Sequence, residues 1–330
     1  QLGQGHTNTL GDDPGEMGDN LPVVDLGTGK TATALSAGDR TLCALLNDGS
    51  VKCWGMGYLG SLGDGDSETH SVGDEPGEMG DNLAAIDLGT GRTATAIAAR
   101  GHHNCALLDD GTVKCWGYNY LGHLGLGDTQ NRGDDPGEMG DNLPAVDLGT
   151  GKAATAITVG YDHTCALLAD GSVKCWGHNG FGQLGQGHTN ALGDDPDEMG
   201  DNLPPIDLGT GKSAVAINAG RYHTCALLDD GSAKCWGGGS YGLLGTGNQT
   251  SIGLNSWQMG DNLSPIDLGA GKSAVAIEAG HRHTCALLND ATVKCFGDAW
   301  NGQLGQGDQD NLGDGPGEMG DNLPIVDLGS

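Results

Sequence analysis

Basic and aromatic side chains are both scarce in this chain of 330 residues: 15 Lys and Arg stand against 44 Asp and Glu, and only two Phe are present. The resulting formal charge of −29 repels polyanions wherever charge matters. DNA, RNA and anionic membrane surfaces are thereby set aside as partners, which leaves cations, basic proteins and neutral glycans. No apolar run reaches the roughly 18 residues that membrane insertion as a helix requires. The amino terminus, QLGQGHTNTLGDD, lacks the charged and apolar regions of a secretory leader and does not begin with Met, so the chain reads as a mature or excised segment. No stretch combines sustained helical periodicity with caps, and 36% apolar content is low for one large core. What is abundant is glycine, at 63 residues, the mark of many tight turns around a thin, distributed core.

The chain is also repetitive. Leu-Gly openings follow Gln1, Ser61, His123, Gln183, Leu243 and Gln303, at spacings of 60, 62, 60, 60 and 60 residues. These define a single repeat domain over 1–330, with units 1–60, 61–122, 123–182, 183–242 and 243–302 and a partial unit 303–330. Each unit divides into a loop half, such as QLGQGHTNTLGDDPGEMGDNLPVVDLG (1–27), and a sheet half, such as AATAITVGYDHTCALLADGSVKCWG (153–177). The strand signals predict a four-stranded unit: a first strand at the Asp-Leu end of the loop half, then AATAITV, HTCALL and SVKCW.

The central hairpin can be read residue by residue. In CALLNDGSVKC three residues separate Leu46 from Ser50, the loop length of a type I turn closed by a left-handed Gly. That register sets Leu45 against Val51, Ala44 against Lys52 and Cys43 against Cys53, the last at a non-hydrogen-bonded site where Cα atoms approach closely. All ten Cys fall into five pairs ten residues apart: Cys43 with Cys53, Cys105 with Cys115, Cys165 with Cys175, Cys225 with Cys235 and Cys285 with Cys295. Zinc is the competing reading and would need two further ligands per pair. Disulfides within each hairpin are the expectation, and they imply an oxidising compartment, extracellular or at a cell surface.

The run HTCALLADGSVKCWGHNGFGQLG (163–185) resembles the repeat of the regulator of chromosome condensation family: His-Thr, an apolar strand, Asp-Gly, a short strand, Trp-Gly, an Asn-containing turn and Gly-Gln-Leu-Gly. The elements recur five times, with Trp54, Trp116, Trp176 and Trp236 after the second Cys and Phe296 in the fifth copy. The resemblance implies an all-β propeller with one repeat's worth of strands per blade, usually closed as a ring of seven. Seven units would need roughly 420 residues, so the chain is expected to be a slice of a longer array, or to close with fewer blades, or to stay open. This sequence departs from the family pattern in its paired Cys and its long acidic loop half. The family's nucleotide-exchange activity beside chromatin does not carry over, because fold alone does not confer function. Its secreted inhibitors and protein-binding modules are the closer analogues.

Several residues invite a functional reading. His103, His163, His223 and His283 recur once per unit, which distributes them, so they are expected to close the turn before the strand. The Trp after the second Cys is expected to pack between blades. The acids Asp12, Asp13 and Glu16, Asp74, Glu75 and Glu78, Asp134, Asp135 and Glu138, and Asp194, Asp195 and Glu198 lie in Gly-permitted turns. They make calcium the one candidate cofactor, although their spacing is not that of an EF-hand. The fifth loop, LNSWQMGDNL (254–263), loses its first acids but keeps Met259, Gly260, Asp261, Asn262 and Leu263, so Met-Gly-Asp-Asn-Leu is expected to be architectural. Asn248 (NQT) and Asn262 (NLS) are N-glycosylation acceptors, the second weakened by Pro265. Tyr241, Trp257 and Trp300 are candidate interface anchors.

No nucleophile with a base, acid pair or phosphate loop stands out, and the chain is read as no enzyme. The leading expectation is an extracellular scaffold or adhesion module, self-associating or bound to a protein or glycan. The alternative is a soluble binder or inhibitor using one propeller face, and the remotest a propeller glycan hydrolase.

Overall fold

The computed structural model describes residues 1–329, which form antiparallel sheets joined by 3-10 turns and contain no α-helix. The chain packs as two compact units, one of Gln1–Tyr120 with Gln130–Val146, the other of Leu121–Thr129 with the residues from Asp147 onward. The first unit holds two sheets: β1 (Ala32–Ala37), β2 (Thr41–Leu46), β3 (Val51–Gly57) and β4 (His70–Val72), then β5 (Ala94–Arg100), β6 (His103–Leu108) and β7 (Val113–Gly117). The second holds three: β8 (Ala154–Val159), β9 (His163–Leu168) and β10 (Val173–Gly177); β11 (Ala214–Ala219), β12 (His223–Leu228) and β13 (Ala233–Gly237); β14 (Ala274–Ala279), β15 (His283–Leu288) and β16 (Val293–Gly297). Each sheet is a simple meander, the propeller blade that the repeat pattern predicts.

The hairpin register is as the turn length requires. Leu45 pairs with Val51, Ala44 with Lys52 and Cys43 with Cys53, and the Leu46 N–H donates to Ser50 O. The same register holds in the other four hairpins, where Cys105 faces Cys115, Cys165 faces Cys175, Cys225 faces Cys235 and Cys285 faces Cys295. Each facing pair stands 4.0–4.1 Å apart at Cα and is joined as a disulfide: Cys43 to Cys53, Cys105 to Cys115, Cys165 to Cys175, Cys225 to Cys235 and Cys285 to Cys295. No free thiol is left among the described residues to serve zinc. Gly49, Gly111, Gly171 and Gly231 take the left-handed conformation that closes the turn, and in the fifth copy Ala291 is forced into it at φ 64°.

The fourth strand differs from the expectation. It does not lie at the Asp-Leu end ahead of each sheet, because the Asp25 carboxylate accepts the Gly27 N–H and the chain turns there through Gly27 at φ 107°. That segment instead edges the sheet before it. Ile86 N–H donates to Val51 O, Val146 to Val113, Ile206 to Val173 and Ile266 to Ala233, each at 2.8 Å. The same edge begins with β4 in the first sheet, and elsewhere with single bridges such as Gly177↔Leu192 and Gly237↔Ile252. The fourth strand is therefore split, and the acidic turn is the insertion that splits it. Only in the first sheet, where unit 61–122 carries two extra residues ahead of Val72, does its upper part extend to three residues.

Packing in the second unit follows blade order. Trp236 is fully buried with Cys165, Val173, Ala226, Met259 and Leu263, and Phe296 takes the corresponding place with Cys225, Ala286 and Leu323. The aromatic after the second Cys thus fills the space between successive sheets, and Phe suffices because bulk is the requirement.

Left-handed backbone at a non-glycine residue costs about 1–2 kcal/mol. Ala291→Gly should therefore raise stability by roughly 0.5–1 kcal/mol in urea unfolding, after the entropy lost by glycine. Gly171→Ala should lower it by about 1–3 kcal/mol, since its Cβ would also stand 2.8 Å from Ser213 Cβ.

Candidate functional site

Three constellations emerge where the loop halves meet the sheets. The first is a buried lysine in every third strand. Lys174 Nζ donates to Leu148 O (2.9 Å) and Gly200 O (2.7 Å), carbonyls of two successive loop halves. Lys52 binds Leu26 O and Gly80 O, Lys234 binds Leu208 O and Gly260 O, and Lys294 binds Leu268 O and Gly320 O. Lys114 binds Gly140 O. Burial pulls the ammonium pKa of Lys174 down, while the nearby Asp201 carboxylate pulls it back up. The same loop halves are laced by the Asp of Met-Gly-Asp-Asn-Leu. Asp201 accepts from the Thr150 N–H (2.9 Å) and hydroxyl (2.6 Å), as Asp81 does from Thr28, Asp141 from Thr90 and Asp261 from Thr210. Asn202 Nδ2 donates to Asp197 O, so the shared motif is architectural. The lysine escaped sequence reasoning, although its recurrence at one position in all five copies was a usable signal.

The second constellation is the acidic turn. The Glu78 carboxylate accepts N–H groups of Gly73, Asp74 and Glu75, Glu16 those of Gly11, Asp12 and Asp13, and Glu138 and Glu198 those of Gly133 with Asp135 and Gly193 with Asp195. These bonds hold the Glu16 and Glu78 carboxyls below their ordinary pKa. In the fifth loop Gln258 Oε1 accepts the Asn255 N–H instead, which identifies the position as a turn former that needs an oxygen rather than a charge. Asp13, Glu75, Asp135 and Asp195 are exposed, and Asp74, Asp134 and Asp194 half-buried. Among the described residues no group of three or more His, Cys, Asp or Glu side chains gathers as a metal-ligand set.

The third lies at one end of the blades. Each first-to-second-strand turn and each segment leaving a third strand emerge at the same end of a meander, and all six Tyr occur in these two places. In the second unit Arg221 stacks over Tyr161 (4.5 Å) and Tyr222 (4.8 Å), Phe181 meets Tyr222 (4.8 Å) and His178 (6.0 Å), and Arg282 lies over Tyr241 (5.4 Å). Trp300, 72% exposed, lies three residues beyond the end of β16, one position before the equivalent of Tyr241, which lies four residues beyond β13. Trp257 is 68% exposed but belongs to the 3-10 turn Ser256–Gln258. In the first unit Tyr58 meets His102 and Tyr118 stacks on Tyr120. The opposite end of the blades carries Lys30–Asp48, Lys152–Asp170, Lys212–Asp230 and Lys272–Asp290 ion pairs.

Two of the recurring histidines join successive blades. His163 and His223 are buried, each with Nε2 2.9 Å from a Thr Oγ1 of the next blade, Thr224 and Thr284. Both Asn-X-Ser/Thr asparagines are exposed; Asn248 Oδ1 accepts the Thr250 N–H, and Asn262 Nδ2 donates to Trp257 O.

Two family models, both described as the regulator of chromosome condensation (RCC1) repeat, match the chain, one at residues 110–167, 170–227 and 230–287, the other at 32–61, 94–122, 154–183, 214–243 and 274–306. The chain is 29% identical over 293 residues to the ultraviolet-B receptor UVR8 of Arabidopsis thaliana, covering 87% of this chain and 58% of that protein. It is 28% identical over 275 residues to the E3 ubiquitin-protein ligase HERC2 of Homo sapiens, covering 83% of this chain and 5% of that one. Among solved structures it resembles Prp20p of Saccharomyces cerevisiae (TM-score 0.62, 18% identity, 90% of this chain and 64% of that) and human WBSCR16 (TM-score 0.65, 17% identity, 91% and 67%). These likenesses show the fold.

The Asp201 carboxyl is held below its ordinary pKa, chiefly by the Thr150 hydroxyl and then by the Thr150 N–H. A depressed carboxyl stabilises the fold fully above the ordinary Asp value of about 3.9, and that stabilisation is lost as pH falls below it. Asp201→Asn should therefore lower stability at neutral pH and flatten its decline below about pH 4, as read from urea midpoints across an acid series.

Proposed function

We propose that this chain, which belongs to the regulator of chromosome condensation (RCC1) repeat family, is a non-catalytic, extracellular protein-binding propeller that engages its partner through the aromatic end of its blades. The observation that carries this reading is the Arg221, Tyr161, Tyr222 and Phe181 cluster with Tyr241 and Trp300 beside it in blade order. Aromatic and Arg side chains are the residues that anchor protein interfaces, and rings already held by neighbouring guanidinium groups lose little freedom on binding. Secretion is supported by the disulfides, since five of them persist only where the environment is oxidising. The described residues contain no helix long and apolar enough to cross a membrane.

Relatives support a binding role. One structural neighbour, Prp20p, the yeast RCC1, binds Gsp1p and histones and is also seen bound to Kap60. UVR8 is a receptor and HERC2 a ligase of which this chain spans 5%. The same cluster favours recognition of a different protein over the scaffold reading, because self-association of a chain with 29 net negative charges works against its own field.

The test is a binding screen of the disulfide-bonded protein against purified extracellular domains, with Phe181→Ala, Tyr222→Ala and Trp300→Ala as variants. A genuine partner should lose roughly tenfold or more in affinity with each of the first two, while Trp257→Ala leaves it unchanged. A partner that binds all four variants equally overturns the assignment of this face.

A further inference from the structure

Every loop half opens with Leu-Gly-X-Gly, and X borders a niche between that turn and the acidic turn, or its counterpart, of the next loop half. X is glutamine in three copies, and in two of them it plugs the niche: Gln4 Nε2 donates to Pro22 O (3.0 Å) and Gln186 Nε2 to Pro204 O (2.9 Å). In the fifth copy X is Thr246, which is too short. Its buried hydroxyl has no partner, and the carbonyl matching those of Pro22 and Pro204 belongs to Ser264. The opposite wall has changed as well. Where the other proline-containing turns carry Asp13, Glu75, Asp135 or Asp195 directly before the proline, this one carries Gly315. The two changes fall on one niche and enlarge it: about 290 Å³ in the first copy, about 560 Å³ in the fifth. The larger figure lies within the span of about 300–1,000 Å³ typical of small-molecule sites.

We infer that this niche is a binding site for one neutral saccharide residue of a glycan. Its chemistry selects that class. Pro265, Pro316 and Met319 line an apolar side, and Thr246, Asn248 and Ser264 a polar one, which matches a pyranose with its C–H face and its rim of hydroxyls. A sugar hydroxyl can donate to the Ser264 carbonyl, replacing the glutamine amide of the other copies. Asp267 in the wall disfavours an anion, and the second acid that precedes the proline in the other copies is replaced by Gly315.

The inference does not depend on the aromatic face, and its test is separate. The disulfide-bonded protein is titrated with methyl α-D-glucopyranoside, methyl β-D-galactopyranoside and N-acetyl-D-glucosamine, following backbone amide shifts by NMR. At least one should shift the amides of Gly247, Asn248 and Gly317 at millimolar concentration. Thr246→Gln, which restores the plug, should weaken that response by about tenfold or more without lowering the unfolding midpoint, whereas Thr246→Ser should retain it. No response to any of the three sugars, or a response that Thr246→Gln leaves intact, overturns the inference. So does displacement of the sugar by sodium sulfate or spermidine, which would mark the niche as ionic.

Discussion

The structure depends on a cation buried among carbonyls. Each blade is small, with short strands and alanine-rich faces, and has little apolar area with which to hold the long loop halves on either side of it. The lysine of the third strand supplies what the core cannot. From inside the hairpin Lys174 reaches Leu148 O and Gly200 O together, so one ammonium fixes the exit of one loop half and the 3-10 turn of the next. Hydrogen bonds from a charged donor are about twice as strong as neutral ones, and removing the donor would take its partner from Leu148 O and leave Gly200 O with only the Leu203 N–H. Asp201 completes the arrangement by gripping the Gly-Thr-Gly turn beside Leu148. Next to Lys174 in the same strand, Cys175 is bonded to Cys165, and that bridge keeps the lysine's strand in register.

What the sequence disclosed and what it hid follow from the range of the interactions. The hairpins were legible because a three-residue turn ending in glycine dictates register, and register dictates that the cysteines face each other, Cys43 with Cys53 as much as Cys285 with Cys295. The packing role of the Trp, the distribution of the histidines and the architectural Met-Gly-Asp-Asn-Leu core followed from comparing copies within one chain. The split fourth strand was not legible, since Val72 and Ile86 both edge β3 yet are separated by a whole acidic turn with no strand signal of its own. The lysine was missed because a charged residue between Val and Cys reads as solvent-facing. The role of Glu78 and its counterparts was hidden for a similar reason: acids in glycine-rich turns read as solvated charge, and only Gln258 in the fifth loop betrays that the oxygen serves the backbone.

Division of labour between the two ends of the blades also arises from topology. Tyr161, Phe181, Tyr222 and Trp300 are far apart in sequence, and no local pattern links them; antiparallel meanders deliver them to the same end. The other end receives the hairpin turns with their Lys–Asp pairs, which are exposed and contribute little to stability. A repeated blade can therefore keep one architectural set constant, the Cys pair, the Trp, the Lys and the Asp, while its turns vary. The fifth copy uses that latitude most, with Thr246, Trp257 and Trp300 all confined to loops.

The most direct test of this account is native-state hydrogen exchange in the wild type and in Lys174→Met. The amides of Thr150, Gly200 and Ile206, which bind Asp201, Asp147 and Val173, should lose protection, while those of the β9–β10 hairpin, held by its disulfide, should keep it. Uniform loss across the unit, or unchanged protection in the loop halves, would contradict the claim that the buried lysine holds loops to sheet.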